Sequence, residues 1–187
     1  MKHLIIIFLL SVLCFSCKEK PKVEYDPDTS YWSVNQFIID QYNLKVGDPV
    51  AITKVVEIDG KTDTTYHPLE EIDWATIFKI FGKADISNPK FYDKYTYNNF
   101  DDNFLELSTM TYNAKDPKLF VQREDINYDN ISRAIKFIYI ETNENSWFFS
   151  KQQKLSYYVN DKIIIQETEK AKFSKEKNLM ITYILPY

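Results

Sequence analysis

The sequence predicts an α+β fold: a curved antiparallel β-sheet, made of a meander of about seven strands plus one hairpin, packed on two N-terminal helices. Three observations carry that expectation. Before Pro89, apolar residues recur at helical spacing in two segments, first at Tyr31, Val34, Ile38 and Tyr42, then at Leu69, Ile72, Trp74, Ile77, Phe78 and Phe81. Between them, Asp59-Gly60 joins a β-branched run to a second extended run, the residue pair a two-residue hairpin turn requires. After Pro89 the apolar period falls to two and stays there.

The chain opens on Met1-Lys2-His3 and an apolar run from Leu4 through Phe15. One basic residue ahead of about a dozen apolar ones is the layout of a secretory leader. A bilayer span needs about 20 apolar residues, and this run falls short. It ends at Ser16-Cys17, after which Lys18-Glu19-Lys20-Pro21 is polar. The Ser16-Cys17 junction resembles the lipobox of bacterial lipoproteins, in which diacylglycerol is attached to the cysteine sulfur and cleavage makes that cysteine the first residue.

The resemblance implies that Cys17 is the lipid-attachment residue. It divides the chain into a signal peptide (1–16), a lipidated cysteine with a flexible tether (17–29) and a single globular domain (30–187). Phe15 stands where that pattern carries a small residue, and Cys14 is a second cysteine behind the bulky Leu13. An ordinary signal peptide with a free Cys17, or an uncleaved short anchor, fits the same residues. Each acyl carbon buried in a bilayer contributes about 0.8 kcal/mol, so several chains on one cysteine make a durable tether. Residues 18–29, with three Lys, two Pro and four acids, read as its leash.

Asp28-Thr29-Ser30 offers side-chain oxygens for a helix start, and the first helix is expected from Ser30 to about Lys45, ended by Gly47-Asp48-Pro49. Val50–Ile58 and Lys61–Tyr66 form the hairpin. Pro68 opens the second helix, Glu70, Glu71 and Asp73 sit near its N-terminal dipole, and Gly82 fits its C-terminal cap. Strands are expected near Phe91–Tyr97, Phe104–Tyr112, Leu119–Tyr128, Ala134–Glu141, Leu155–Val159, Ile163–Thr168 and Leu179–Leu185. Turn formers separate them at Asn98-Asn99, Asn113 to Pro117, Asp129-Asn130, Asn143 to Asn145 and Asn160-Asp161. Several strands carry apolar groups on both faces, so the hairpin and the helices are expected to cover one side.

Composition excludes whole classes of chemistry. The 27 acidic residues outnumber the 23 basic ones, a net charge of −4 that loss of Lys2 makes one unit more negative. Nucleic acid demands a basic face, so it is not an expected partner. With Cys14 removed and Cys17 acylated, no thiol remains for catalysis, disulfide or zinc. His67 is the single imidazole after His3 is lost; it precedes Pro68, has no nucleophile elbow to serve, and reads as an exposed strand-end residue. Gly47, Gly60 and Gly82 are too few and too scattered for a phosphate-cradling loop.

Asp125-x-Asn127-x-Asp129-Asn130 echoes the first half of a calcium loop, but Asn130 and Lys136 stand where glycine and a bidentate glutamate belong. A polar strand running into a turn is the better reading. Asp101-Asp102 and Glu167-x-Glu169 read as solvated edge or turn charges. No metal and no cofactor is expected. The aromatic load of 14 Tyr, 13 Phe and 3 Trp is distinctive, densest at Trp147-Phe148-Phe149 and Tyr157-Tyr158, and that tyrosine pair must point to opposite faces.

Four segments carry a second resemblance: Tyr31-Trp32-Ser33-Val34-x-Gln36-Phe37, Lys54-Val55-Val56-x-x-x-Gly60-Lys61-Thr62-Asp63, Ile86-Ser87-x-Pro89-Lys90-Phe91, and Ala114-Lys115-Asp116-Pro117-Lys118-Leu119-Phe120. Together they resemble uncharacterised small lipoproteins of Bacteroidota, a likeness that adds weight to Cys17 and brings no activity. Helices against a curved antiparallel sheet are also similar in architecture to the half-barrel of lipoprotein-sorting carriers, which implies an apolar concavity able to hold acyl chains.

The expected function is that of a non-catalytic envelope lipoprotein, anchored in a membrane (the outer one first) and binding an apolar or amphipathic ligand such as a lipid between sheet and helices. A structural subunit of an outer-membrane assembly and a surface glycan binder are the alternatives. An enzyme ranks last and requires carboxylates such as Glu106 or Asp125 to converge in a cleft. Lys18-Glu19-Lys20 leaves the face of the membrane open.

Overall fold

The computed structural model describes residues 31–102 and 104–186. The leader, Cys17, the tether and the Asp28-Thr29-Ser30 helix start lie outside the described residues. The described chain runs α1 (Val34–Asn43), β1 (Ala51–Ile58), β2 (Lys61–Pro68), α2 (Trp74–Lys83), then seven strands in succession. These are β3 (Tyr95–Asp102), β4 (Leu107–Ala114), β5 (Val121–Asp129), β6 (Ile135–Asn145), β7 (Phe149–Tyr158), β8 (Lys162–Ala171) and β9 (Lys177–Ile184).

The helices begin later than the sequence alone suggests. The Ser33 hydroxyl accepts a hydrogen bond from the Gln36 amide at 3.2 Å, so Ser33 is the cap and the helical turns start at Val34. Pro68 ends β2 rather than opening α2. A single 3₁₀ turn, Leu69–Glu71, follows it, and Asp73 then caps α2 by accepting from the Thr76 amide at 3.0 Å and the Thr76 hydroxyl at 2.7 Å. Those two hydrogen bonds hold the Asp73 carboxyl below its usual range. Gly82 lies inside α2, not beyond its end. A Cβ there would come within 3.2 Å of the Asn35 side chain, so glycine permits the close approach of α1 and α2.

All nine strands form one curved, open antiparallel sheet in the order β2-β1-β9-β8-β7-β6-β5-β4-β3. The Asp59-Gly60 hairpin is as expected, with both residues at positive φ (49° and 81°). Its position is not: β1 pairs with β9 from Thr53–Ile184 to Ile58–Leu179, so the hairpin extends the sheet in its own plane instead of covering a face. Unpaired backbone groups on β1 and β9 then satisfy one another. Two expected turns are also strand: Asn98-Asn99 lies within β3, and Asn143 to Asn145 within β6. The open edges mix polar side chains, Lys61 to Thr65 on β2 and Asn98-Asn99 on β3, with the exposed rings of Tyr66, Tyr97 and Phe100.

The helices pack on one face of the sheet. Ile52, Ile126, Ile138, Ile140, Leu155 and Ile163 from the strands meet Val34, Ile38, Ile77 and Phe81 from the helices, all fully buried or within 1% of it. Each such side chain contributes about 1.5–3 kcal/mol by leaving water. A register shift between Val121 and Arg123 turns Val121 onto the same face as Glu124, opposite Thr142, and bends β5 there. Past the helices the covered face becomes charged. Lys151 bridges Glu167 at 2.7 Å and Glu169 at 3.3 Å, and Lys83 of α2 reaches Glu144 at 2.8 Å.

Candidate functional site

A concavity with aromatic walls forms beside the first of the described residues. Tyr31-Trp32-Ser33 precedes α1, and Asp85 to Asn88 follows α2. Asp85 ties the two segments together: one carboxylate oxygen accepts from the Ser33 hydroxyl (2.6 Å) and the Asn35 amide (2.9 Å), the other from the Ser87 amide (2.7 Å). Charge-assisted bonds of this kind are about twice as strong as neutral ones, so the two segments are held at fixed separation. The Asn88 side chain accepts from the Lys90 amide and starts a short turn through Pro89.

Aromatic rings complete the walls. Tyr31 stands edge-on to Tyr95 at 5.9 Å and lies 5.1 Å from Tyr112, which in turn is 5.3 Å from Tyr97. Trp32 is braced by Phe37 at 5.1 Å. The space left between Tyr31-Trp32-Ser33, Ser87-Asn88-Pro89 and the Tyr112 ring is a groove of about 680 Å3, within the size range of small-molecule sites. Ring faces supply apolar contact, while hydroxyl and amide groups at its rim supply hydrogen bonds. That combination suits a ligand that is itself part apolar and part polar.

Beneath this rim lies an acid without a partner. Glu124 is wholly buried, and neither carboxyl oxygen has a hydrogen-bonding partner. Burial pushes its carboxyl well above the usual glutamate range, and the charges of Asp85 and Asp125 add to the effect. Burial likewise lifts the Tyr112 phenol to about 12, with Glu124 contributing. Tyr95 is raised for the same reasons and donates its hydroxyl to the Val121 carbonyl at 3.1 Å. Thr142 Oγ1 and Asn35 Oδ1 are also buried without partners.

The residues singled out from sequence are dispersed. Cys17 lies outside the described residues. His67 is the next-to-last residue of β2, with its ring 2.9 Å from the Thr65 hydroxyl and 3.8 Å from Glu71. Asp125 faces away from the helices and is gripped by Arg123 (2.8 Å), while Glu106 is exposed in the β3–β4 turn at positive φ. Asn127 accepts from the Thr109 hydroxyl, and Asp129 caps the following turn by accepting from the Ile131 and Ser132 amides. Asp102 likewise serves the Phe104 and Leu105 amides, and Asp101 accepts from Ser108. Among the described residues, no group of three His, Cys, Asp or Glu is placed to hold a metal ion.

Glu167 and Glu169 are not edge charges, because strand alternation puts them on the helix-bearing face with Lys151 between them. Tyr157 and Tyr158 do face opposite ways, Tyr157 buried near Phe37 and Tyr158 stacked on Phe137 at 4.3 Å. Sequence reasoning missed Glu124 and Asp85. Parity would have flagged Glu124, since it shares a strand face with Ile126 in an apolar alternation.

The interface between helices and sheet is packed with side chains, and its recess beside Tyr42, Trp74 and Tyr157 measures about 20 Å3, room for about one water molecule and far too little for an acyl chain. Comparison with known protein families, curated proteins and solved structures finds no match to this chain.

Proposed function

We propose that this chain is a lipid-anchored, non-catalytic envelope protein whose domain binds an amphipathic ligand in the groove between Trp32, Asn88 and Tyr112. The single observation that carries the binding half is the groove itself: about 680 Å3, walled by tyrosine and tryptophan rings and rimmed by hydroxyl and amide groups. Support for the anchoring half is the leader-like run that ends at Ser16-Cys17. An acyl chain or the apolar part of a glycolipid lies along the ring faces, and its polar end meets Ser33, Ser87 and Asn88.

Native mass spectrometry of protein isolated from its own membranes tests both halves. The expected spectrum shows acyl mass on Cys17 and a second, non-covalent mass on the folded domain. Trp32→Ala lowers occupancy by that second mass about tenfold or more, the loss typical of an anchoring aromatic. A domain that carries no non-covalent mass, with Trp32→Ala indistinguishable from it, defeats the binding reading.

A subunit of an envelope assembly is the second reading. It is favoured by Phe104, Leu105 and Ile131, all exposed on adjoining turns that are tied by a 3.0 Å bond from the Asn130 amide to the Glu106 carbonyl. It predicts a stable larger complex in mild detergent.

A further inference from the structure

We infer that the exposed Trp147–Phe148–Phe173 tip, with its surrounding lysines, is a membrane-contact surface that rests on anionic phospholipid. Two neighbouring loops build it. Trp147 and Phe148 lie between β6 and β7, and Phe173 lies between β8 and β9. The Lys172 amide donates to the Phe148 carbonyl at 2.9 Å, which joins the loops, and the Lys172 ammonium lies 5.7 Å from the Trp147 ring and 5.8 Å from the Phe173 ring. Trp147 and Phe148 meet edge to face at 5.1 Å.

These rings are presented to solvent: Trp147 is 80% exposed, Phe173 94% and Phe148 52%. Tryptophan with lysine is the pairing that settles at a bilayer interface, the ring at headgroup level and the ammonium reaching outward. The local charge selects the lipid. Residues 170–177 carry Lys170, Lys172, Lys175 and Lys177 against Glu176 alone, in a chain whose net charge is −4. The opposite end of the sheet makes the contrast. There Phe104, Leu105 and Ile131 are also exposed, but the turns that carry them hold Asp101, Asp102, Glu106 and Asp129 against Arg133 and Lys136, the latter paired with Asp129, a net negative charge that disfavours an anionic surface.

The direction of the chain agrees. Tyr31, the first described residue, contacts Tyr95 at the start of β3, and Tyr95 pairs with Ala114 at the end of β4. The antiparallel registers place that sheet end with the β6–β7 and β8–β9 loops. The described chain therefore starts at the end of the sheet that carries the tip. Thirteen residues separate Cys17 from Tyr31, a reach of about 45 Å when extended, against about 25 Å for five strand spacings. The inference rests on the anchoring half of the reading above, not on the groove.

The test uses the protein isolated from its membranes and placed in phosphatidylcholine vesicles, with and without phosphatidylglycerol, whose acyl chains carry bromine as a fluorescence quencher. Trp147 emission is taken as the difference between the protein and Trp147→Phe. The expected result is bromine quenching and a blue shift of Trp147 on the anionic vesicles. Lys172→Gln and Lys175→Gln weaken that response about fivefold each. A Trp147 that stays unquenched and open to acrylamide at saturating lipid overturns the inference, even where acyl mass on Cys17 upholds the anchor. Quenching of a protein without acyl mass upholds the tip and defeats the anchor.

Discussion

Glu124 and Asp125 are consecutive carboxylates on one strand, and the sheet treats them in opposite ways. Glu124 turns toward the helices, where it is sealed from water with no partner for either oxygen. Asp125 turns outward and, though only 8% exposed, is held by the Arg123 guanidinium at 2.8 Å. Burying a charge without a partner costs several kcal/mol, so an unpartnered acid keeps its proton instead. The same alternation acts on Ile163, wholly buried, and its neighbour Ile164, half-buried on the other face. A residue's energetic role here follows the face it occupies more than its chemical type.

The largest expected effect sets those two isoleucines apart. Ile163→Ala costs about 2–5 kcal/mol through lost burial and the cavity left behind, whereas Ile164→Ala costs about 1 kcal/mol or less. Urea midpoints of the two variants check this, and equal losses break the distinction between faces.

Glu124 gives the next effect through pH. In the unfolded chain it titrates near its ordinary 4.5, while the folded protein holds the proton to higher pH. The folded state therefore binds the extra proton between those two values. The stability this contributes is full below 4.5 and falls as pH rises toward the folded value, by about 1.4 kcal/mol per pH unit. Glu124→Gln keeps the shape and removes the titration, so its stability advantage grows between pH 5 and pH 8. Parallel denaturation curves at all pH values contradict a protonated Glu124.

On the outer face, Arg123→Ala leaves Asp125 largely buried without its donor and costs about 1–3 kcal/mol. Adding Asp125→Asn to that variant recovers part of the loss, and the double-mutant cycle measures how much. The smallest effect is at Lys83, whose bond to Glu144 joins two side chains that are each more than half exposed. Lys83→Ala costs less than about 1 kcal/mol, and the difference shrinks as salt is added. A large, salt-independent loss would instead assign Lys83 to its contact with the Phe120 ring at 4.2 Å.

Much of the fold was legible because local rules set it. The Asp59-Gly60 turn needs two residues that tolerate positive φ, and the pair announces the hairpin wherever the hairpin goes. The helical stripes of α1 and α2 and the alternation in β6 and β7 survive because burial on one face selects them. What was illegible depended on remote partners. Pro68 looks like a helix opener, but its strand is already committed to pairing with Ala51, and Asp73 then supplies the cap. Gly82 looks like a helix end, yet Asn35 from another helix is the reason for glycine there. The groove was hidden too, since Ser33 and Ser87 become neighbours through Asp85, more than fifty residues from Ser33.

By itself the sequence determined the element types, the hairpin turn, the opposed faces of Tyr157 and Tyr158, and a described body with one imidazole and no thiol. Each of these follows from residue identity and from the two- or 3.6-residue repeat of the backbone. Only the tertiary structure decided that β1 closes onto β9, that Asp85 locks one side of a groove to the other, and that Glu124 lies in the dark beneath it. Those outcomes depend on which distant segments exclude water from one another, and no local repeat encodes that.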